Sequence, residues 1–276
     1  MTGTVVIKVG ILGANGRMGR VLIDAAYQHA NVALGFASVR HGSAFEGIDA
    51  GELAGINKQY LSVSALSAPL ANHADVLIDF TLPEALQANL AFAKQHNKPL
   101  VIGTTGLNQT QLSMLDDAAK HIPIVFAANY SVGVNLMLNL VKTAAKVMGD
   151  DADIEIIEAH HRYKLDSPSG TAVTIGESIA TELGRDLTEC AVYGREGLGE
   201  VRDRKTIGFA TVRAGDIVGE HTALFASLGE RIEITHKASS RLTFANGALT
   251  AALWLLEQQH SQGLFSMQDV LGLQKR

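Results

Sequence analysis

The sequence has almost no cysteine, no long apolar run and no excess of basic residues, and each shortage excludes a class of protein. Cys190 is the single cysteine among 276 residues, so no disulfide can form within the chain, and a reducing cytoplasm is indicated. No apolar run approaches the roughly 20 residues that cross a bilayer. The net charge of -5 does not favour a nucleic acid or an anionic membrane. We therefore expect a cytoplasmic protein with neither kind of partner.

The composition that remains is typical of a globular protein. Apolar residues make up 47% and charged residues 18% of the chain, and its length allows one large domain or two modest ones. Residues 1–12 lack a basic leader and run directly into a glycine-rich turn. We interpret them as a first strand and not as a signal peptide.

The first 130 residues alternate between two kinds of pattern. Helical spacing of apolar residues occurs at 16–29, from about Pro83, and at 108–120, where Asn108 is placed to cap the helix. Strands are predicted between these segments, at 5–12, 32–37, 75–80, 100–103 and 122–127. Such alternation predicts a parallel sheet with helices on both faces.

The pattern changes after Val134. A helix is predicted at 135–148 and a strand at 153–159, and a helical pattern returns at 241–260. Between them, short turns separate β-like runs at 208–213, 217–227 and 231–237, which predicts an antiparallel meander. We therefore expect an α/β fold with two domains, a Rossmann-like parallel-sheet domain over 1–130 and 241–276, and an α+β domain with a mainly antiparallel sheet over 131–240.

A glycine-rich turn joins the first strand to the first helix. In a Rossmann-type domain this turn holds the pyrophosphate of a dinucleotide. Gly16 would let the backbone approach the phosphates, and Gly19 would allow close packing of helix on strand. The alternative is a glycine turn that binds no nucleotide. The candidate cofactor residues are Gly13, Ala14, Asn15, Gly16, Arg17 and Met18.

The end of the second strand bears on the choice of cofactor. An acidic residue there binds the ribose hydroxyl of NADH, whereas an arginine accommodates the 2′-phosphate of NADPH. No Asp or Glu occurs in this stretch before Glu46, while Arg40 is present. We expect NADPH to be used at least as well as NADH, although Arg40 could also be an ordinary surface residue.

Two further segments follow the fourth and fifth predicted strands. Ligands of open α/β sheets bind at the carboxyl ends of the strands, and small residues there would leave room for a nicotinamide ring. The alternative for each is a plain connecting loop. The candidates are Gly103, Thr104, Thr105, Ala127, Ala128, Asn129 and Tyr130.

Residues 158–171 carry the densest group of reactive side chains. They include His160, His161 and Lys164, and they end in a Ser-Gly-Thr turn that opens a helix-like segment at 172–184. A helix N-terminus binds anions such as carboxylates, and histidine transfers protons near neutral pH. The alternatives are a solvated loop or a structural histidine bonded to Glu158. No third ligand is spaced for a metal, so we expect none.

Together these motifs resemble the dihydrodipicolinate reductase family over nearly the full length. The resemblance depends on G-R-M-G at 16–19, I-G-T-T-G at 102–106, A-A-N-Y-S-V-G-V-N at 127–135, E-A-H-H at 158–161 and H-K-A-S-S-R at 236–241. The string H-H-x-x-K-x-D-x-P-S-G-T, which begins at His160, is the most specific of them.

The resemblance implies an activity and a role for each candidate. The activity is NAD(P)H-dependent reduction of 4-hydroxy-tetrahydrodipicolinate, with loss of water, to tetrahydrodipicolinate in diaminopimelate and lysine biosynthesis. His160 would transfer a proton, and Lys164 would donate a second and bind substrate. The 131–240 domain would bind the dicarboxylate substrate and hold a homotetramer. The remaining substrate-binding candidates are His161, Ser169, Gly170, Thr171 and Arg241, of which Arg241 could equally be a surface arginine.

The chain departs from the family at two positions, and two other functions compete. Many relatives have an acidic residue in place of Val39 and an arginine in place of Leu82. The first departure weakens a preference for NADH. One competing function is another NAD(P)-dependent amino-acid or oxo-acid dehydrogenase, which would turn over a different substrate. The other is a redox-sensing module, which would bind a dinucleotide without turnover. His221 and His236 are interpreted as packing or surface residues.

Overall fold

A computed structural model of the chain describes residues 6–258 and 261–273. It divides into two compact units. One runs to Val132 and resumes at Arg241, and the other comprises Gly133–Ser240. Val5 of the strand predicted at 5–12, and residues 259–260 of the helix predicted at 241–260, lie outside the described residues.

The helices and strands are numbered in chain order. As far as residue 130 they are β1 (Ile7–Leu12), α1 (Arg17–Gln28), β2 (Val32–Val39), α2 (Ala50–Ala54), β3 (Ser64–Ala65), β4 (Val76–Asp79), α3 (Leu86–Gln95), β5 (Leu100–Ile102), α4 (Gln109–Ala119) and β6 (Pro123–Phe126). Those that follow are α5 (Val132–Met148), β7 (Asp153–His160), α6 (Gly170–Glu182), α7 (Leu187–Cys190), β8 (Ala191–Tyr193), β9 (Ile207–Arg213), β10 (Gly219–Ser227), β11 (Glu230–Ala238), α8 (Leu242–Glu257), β12 (Gly263–Phe265) and α9 (Met267–Val270).

The first unit is built on a seven-stranded sheet in the order β12-β6-β5-β4-β1-β2-β3. Every strand pair in it is parallel, which confirms the predicted parallel sheet. The sequence did not predict β3 and β12. They contribute two and three residues at the two edges, which is too short for a periodic pattern to be recognised.

Both faces of this sheet are buried, which explains why its strands are continuous apolar runs. Successive side chains of a strand point to opposite faces. In β5, Val101 joins the core that α1 and α8 cover. Its neighbours Leu100 and Ile102 join the core that α3 and α4 cover. The helix α4 begins at a capping box between Asn108 and Gln111, so the predicted cap is confirmed.

The second unit contains a five-stranded sheet in the order β11-β10-β7-β9-β8. Pairing is antiparallel from β11 to β7 and parallel from β7 to β8. The predicted fold class is confirmed, with the second sheet mixed and mostly antiparallel. Helices α5 and α6 cover one of its faces, with Val141, Ile175 and Phe225 in the shared core.

The predicted meander was wrong in one connection. The strands β10 and β11 form the expected hairpin, but β9 does not pair with β10, because β7 lies between them. The chain leaves β9 and crosses the end of β7, where the Ala214 N–H donates to the His160 carbonyl at 2.9 Å and the Arg162 N–H donates to the Gly215 carbonyl at 3.2 Å. Turn composition predicts a reversal of the chain but not the strand beside which it resumes.

The helix α8 packs in the first unit at a glycine. A Cβ atom added to Gly247 would lie 1.7 Å from the carbonyl oxygen of Tyr130, so only glycine allows helix and backbone to approach this closely. Among the described residues, no helix is both long and apolar enough to cross a membrane.

We predict that Gly247→Ala destabilises the protein. In an open helix this change would stabilise by about 1 kcal/mol, but here the methyl group overpacks the contact with Tyr130 and should cost roughly 1–3 kcal/mol. Gly170→Ala is the control, because an added Cβ atom there meets nothing within 4 Å. Thermal unfolding should show a lower midpoint for the first variant and little change for the second. An unchanged midpoint for Gly247→Ala would contradict the packing argument.

Candidate active site

The glycine turn after β1 has the geometry of a phosphate-binding turn. Gly13 has a φ of +72°, which favours glycine. A Cβ atom on Gly19 would lie 2.3 Å from the Gly13 carbonyl oxygen, so Gly19 lets α1 pack closely on the turn. Gly16 is the N-cap of α1 and contributes no side-chain hydrogen bond to the helix. The N–H groups of the first turn are therefore available to an anion.

The structure brings the predicted cofactor segments after β5 and β6 to the same end of the sheet, where the carboxyl ends of the strands lie. A Cβ atom on Gly13 would touch Thr81 at 2.6 Å, and one on Gly103 would overlap the Phe80 ring at 2.2 Å. The Phe80 ring in turn contacts the Tyr130 ring, with 5.3 Å between centroids. The carboxyl ends of β1, β4, β5 and β6 therefore meet around the short segment after β4.

The predicted cofactor residues differ in what they can offer a ligand. Tyr130 is 1% exposed, and its hydroxyl group lies 2.9 Å from the carbonyl oxygens of both Ile102 and Val125. Its side chain therefore holds two strands together, and a ligand could reach only its backbone. The buried candidates are Ala14 and Thr104, the partly exposed ones are Gly13, Met18, Gly103, Ala127 and Asn129, and the exposed ones are Asn15, Gly16, Arg17, Arg40, Thr105 and Ala128.

Asp79 is a buried residue at this end of the sheet that sequence reasoning missed. It is the last residue of β4 and has no exposed surface. Its carboxylate accepts from the Thr81 hydroxyl at 2.6 Å and from the Asn89 amide at 2.8 Å. Burial raises the pKa of Asp79 despite these hydrogen bonds, which act to lower it. The signal in the sequence was an acidic residue at the end of an apolar strand. Through its hydrogen bonds to Thr81, Asp79 fixes the turn that follows β4.

In the second unit, β7 places Glu158 and His160 on one face of the sheet. Residues two apart on a strand share a face, and Ile154, Ile156, Glu158 and His160 are the buried positions of this strand. The apolar pair lies in the core under α5 and α6. The polar pair continues the same row beyond that core, at the carboxyl end of the strand.

Glu158 is the most heavily bonded carboxylate of this group. Arg213 donates two hydrogen bonds to it, one to each oxygen, at 2.8 Å. The Nδ1 atom of His160 lies 2.6 Å from Oε2, and the backbone N–H of Ser169 donates to Oε1 at 3.0 Å. Glu158 is 1% exposed, so almost all of its interactions are with protein groups.

The charges of this cluster follow from its contacts. Burial raises the pKa of Glu158, but the hydrogen bonds from Arg213, His160 and Ser169 outweigh it and bring the pKa below its usual value. An ionised carboxylate only accepts hydrogen bonds, so the Nδ1 atom of His160 must carry a hydrogen and neutral His160 has its lone pair on Nε2. Burial lowers the pKa of His160, while Glu158 opposes this shift.

A second histidine lies against the first and was not predicted to be there. The rings of His221 and His160 meet edge to face, with 5.1 Å between centroids. The Nε2 atom of His221 is 2.9 Å from the Ser169 hydroxyl. Burial, together with the charge of His160, lowers the pKa of His221 to about 4. The interpretation of His221 as a packing residue is therefore too limited, because its ring connects His160 to Ser169.

Ser169 itself is committed to the start of α6. Its hydroxyl accepts a hydrogen bond from the Ala172 N–H at 3.1 Å, and the residue is 2% exposed. Gly170 and Thr171 form the first turn of the helix, where Gly170 is exposed and Thr171 partly so. Any anion at this N-terminus would therefore meet Gly170 and Thr171, with Ser169 behind them.

The remaining candidates are Lys164, His161 and Arg241. The ammonium group of Lys164 pairs with Asp166 at 2.9 Å. His161 is half-buried, and its ring lies 6.5 Å from that of Tyr163, so the two adjacent histidines have different surroundings. Arg241 is exposed, adjoins the first residue of α8 and belongs to the first unit.

Comparison with solved structures identifies the fold. A dipicolinate-bound dihydrodipicolinate reductase from Paenisporosarcina sp. TG-14 matches with a TM-score of 0.72 at 24% identity, over 95% of this chain and 98% of that one. A probable dehydrogenase from Thermotoga maritima matches with a TM-score of 0.58 at 10% identity, over 96% and 92%. Identities this low establish a shared fold and nothing further.

Comparison at the level of sequence goes further. The chain is 66% identical, over 96% of its length and 99% of the relative's, to the 4-hydroxy-tetrahydrodipicolinate reductase of Pseudoalteromonas atlantica. The model of the dihydrodipicolinate reductase N-terminus matches residues 7–130, and that of the C-terminus matches residues 133–271. The resemblance predicted from the motifs is confirmed, and the chain belongs to the dihydrodipicolinate reductase family.

Proposed function

We propose that this chain is a 4-hydroxy-tetrahydrodipicolinate reductase of diaminopimelate and lysine biosynthesis. The overall reaction converts 4-hydroxy-tetrahydrodipicolinate, NAD(P)H and one proton into tetrahydrodipicolinate, NAD(P)⁺ and water. The observation that carries the proposal is the buried pair of Glu158 and His160 beside the N-terminus of α6, in a chain 66% identical to a protein of that name. This pair supplies a proton-transfer group next to an anion-binding helix end.

We assign the dinucleotide to residues 1–130 with 241–276, and the substrate to residues 131–240. The turn at 13–19 fits a pyrophosphate, because an added side chain at Gly13 or Gly19 would fill the turn and the helix N-terminus has no side-chain cap. Arg40 is exposed directly after β2, where a 2′-phosphate is bound in this fold. A bound reduced nicotinamide supplies the hydride.

The proton is assigned to His160. Hydride addition at ring carbon C4 places negative charge on the conjugated imine, and a protonated imidazole neutralises it. Burial lowers the pKa of His160, which by itself favours the neutral ring. A dianionic substrate nearby acts in the opposite direction, because negative charge favours the protonated form. His160 is therefore suited to take up a proton when the substrate binds and to release it during reduction.

The substrate carboxylates are assigned to the α6 N-terminus, His161 and Lys164. The first turn of α6 presents the N–H groups of Gly170 and Thr171 at the positive end of the helix dipole. Lys164 pairs with Asp166, whose side chain is 62% exposed, so the lysine can turn to an incoming anion at little cost. The relative from Paenisporosarcina sp. TG-14 is described as dipicolinate-bound, and dipicolinate is a planar dicarboxylate of this kind.

We further propose that the chain forms a homotetramer in the cytoplasm. The face of the second sheet that α5 and α6 leave uncovered exposes apolar side chains, including Ile157 at 41% and Val212 at 45%. Exposed apolar side chains on a sheet face are typical of an interface between subunits. The single cysteine of the chain suits a reducing compartment.

We predict that His160→Gln lowers kcat at least about 100-fold, because general acid catalysis contributes on that order. The KM for NADPH should change little. His121→Gln, at an exposed histidine after α4, is the matched control and should retain full activity. The rates are followed as NADPH consumption with freshly prepared 4-hydroxy-tetrahydrodipicolinate. Nearly full kcat in His160→Gln would contradict the assignment of the proton.

We also predict that kcat/KM for NADPH is at least equal to that for NADH. Arg40→Ala should raise the KM for NADPH about tenfold or more, because a charge-assisted hydrogen bond to phosphate is lost. NADH lacks this phosphate and is the internal control, with its KM nearly unchanged. Wild-type kcat/KM tenfold higher for NADH than for NADPH would overturn the cofactor proposal.

The proposed assembly gives a separate prediction. Wild-type chain should elute at four times the chain mass in size-exclusion chromatography with light scattering. Ile157→Glu should give smaller species, because a charge is introduced into an apolar interface. Tyr60→Glu places the same charge at a residue that is 92% exposed in the first unit and should leave the tetramer intact. A monomeric wild type would refute the assembly.

A further inference from the structure

The two oxygens of Glu158 hold two different parts of the site. Oε2 accepts from the Nδ1 atom of His160 at 2.6 Å. Oε1 accepts from the N–H of Ser169 at 3.0 Å, and Ser169 is the N-cap of α6. One rigid carboxylate therefore lies between the proton-transfer histidine and the helix end assigned to the substrate carboxylate.

Arg213, on the neighbouring strand β9, fixes the orientation of the Glu158 carboxylate. Its two terminal nitrogens bind one oxygen each at 2.8 Å, and this planar, bidentate arrangement defines the orientation of the carboxylate. Arg213 also donates to the carbonyl of Asp166 at 2.7 Å. It thereby connects Glu158 to the loop that carries Lys164, whose ammonium group pairs with the Asp166 side chain.

The space around the other ring nitrogen of His160 is kept open. Gly219 on β10 lies next to it, and an added Cβ atom there would come within 3.1 Å of Nε2. With Nδ1 bound to Glu158, Nε2 is the ring atom left to exchange a proton. Glu158 and Gly219 thus determine which nitrogen of the ring serves and leave room beside it.

We propose that Glu158 is the positioning residue of this site. It fixes the tautomer of His160 and holds the N-terminus of α6 in a defined position relative to the His160 ring. The proposal deepens the proposed function and rests on it for the role of His160. Arg213 supports this role, because it keeps the Glu158 carboxylate ionised and oriented.

The charged and titratable groups around His160 determine the direction of the expected pH effect. They are Glu158 on β7, Arg213 on β9, His221 on β10 and Lys164 in the loop after β7, with His236 opposite His221 on β11. Among them only Glu158 carries a negative charge. Its removal therefore makes protonated His160 less stable, and activity that requires that form is lost at a lower pH.

The test compares Glu158→Gln with wild type across pH. In the variant, kcat should fall at least about tenfold, the KM for the dicarboxylate should rise, and the KM for NADPH should stay unchanged. The basic limb of the kcat profile should move to lower pH. A merely structural role would reduce the active fraction and the unfolding midpoint without moving the limb or the substrate KM, and that result would overturn the proposal.

Glu155→Gln is the matched control. Glu155 lies on the same strand and likewise accepts hydrogen bonds from arginine, here from two residues, Arg195 at 2.8 Å and Arg202 at 3.0 Å. It points to the opposite face, away from His160. Ile157 shares that face, which is assigned to the subunit interface, so the oligomeric state of the control is measured alongside its kinetics. The control should show the wild-type pH profile and both wild-type KM values, and a displaced profile in this variant as well would remove the specificity that the proposal claims.

Two further measurements keep the test decisive. If Glu158→Gln alone does not fold, the double variant Glu158→Gln with Arg213→Met removes both charges at once and avoids an unpaired arginine. Its profile should be displaced in the same direction but by less, because the positive charge of Arg213 lowers the pKa of His160. If wild type has no reductase activity, the proposed function fails, and imidazole NMR then tests the positioning alone. Wild-type His160 should carry its hydrogen on Nδ1 and titrate at higher pH than in Glu158→Gln, whereas identical tautomers and titrations would overturn the proposal.

Discussion

The site depends on one buried carboxylate. Glu158 receives hydrogen bonds from Arg213 on β9, from the Ser169 backbone at the start of α6 and from His160 on its own strand. A buried charge is costly unless it is fully paired. The same pairing that allows Glu158 to be buried therefore fixes the ring of His160 and the start of α6. Stability and function share these contacts, so neither can be changed at Glu158 without the other.

In the first unit, the candidate cofactor site depends on close approach between backbone segments. A parallel sheet that is buried on both faces offers few polar groups except at the ends of its strands. The glycines at 13 and 103 let the segment after β4 fit against the neighbouring turns, and Asp79 fixes that segment through Thr81. The outcome is an edge with exposed backbone and small side chains, which is what a dinucleotide requires of this fold.

Much of this could be predicted from the sequence, because the decisive patterns are local. The parallel sheet follows from alternating strand and helix patterns, the cap at Asn108 from its residue type, and the sharing of a face by Glu158 and His160 from their spacing. Arg213 could not be found in this way, since 55 positions separate it from Glu158 and the topology of the sheet brings them together. The predicted meander failed for the same reason, because turn residues do not specify which strand lies next to β9.

Isotope transfer shows whether this chain reduces ring carbon C4 of its substrate with a hydride from the cofactor. The wild-type chain is given NADPH deuterated at the transferable position together with freshly prepared 4-hydroxy-tetrahydrodipicolinate, and the product is examined by mass spectrometry and NMR. We expect tetrahydrodipicolinate with one deuterium at C4 for each NADPH consumed. Product without the label, label at another carbon, or no consumption of NADPH would contradict it.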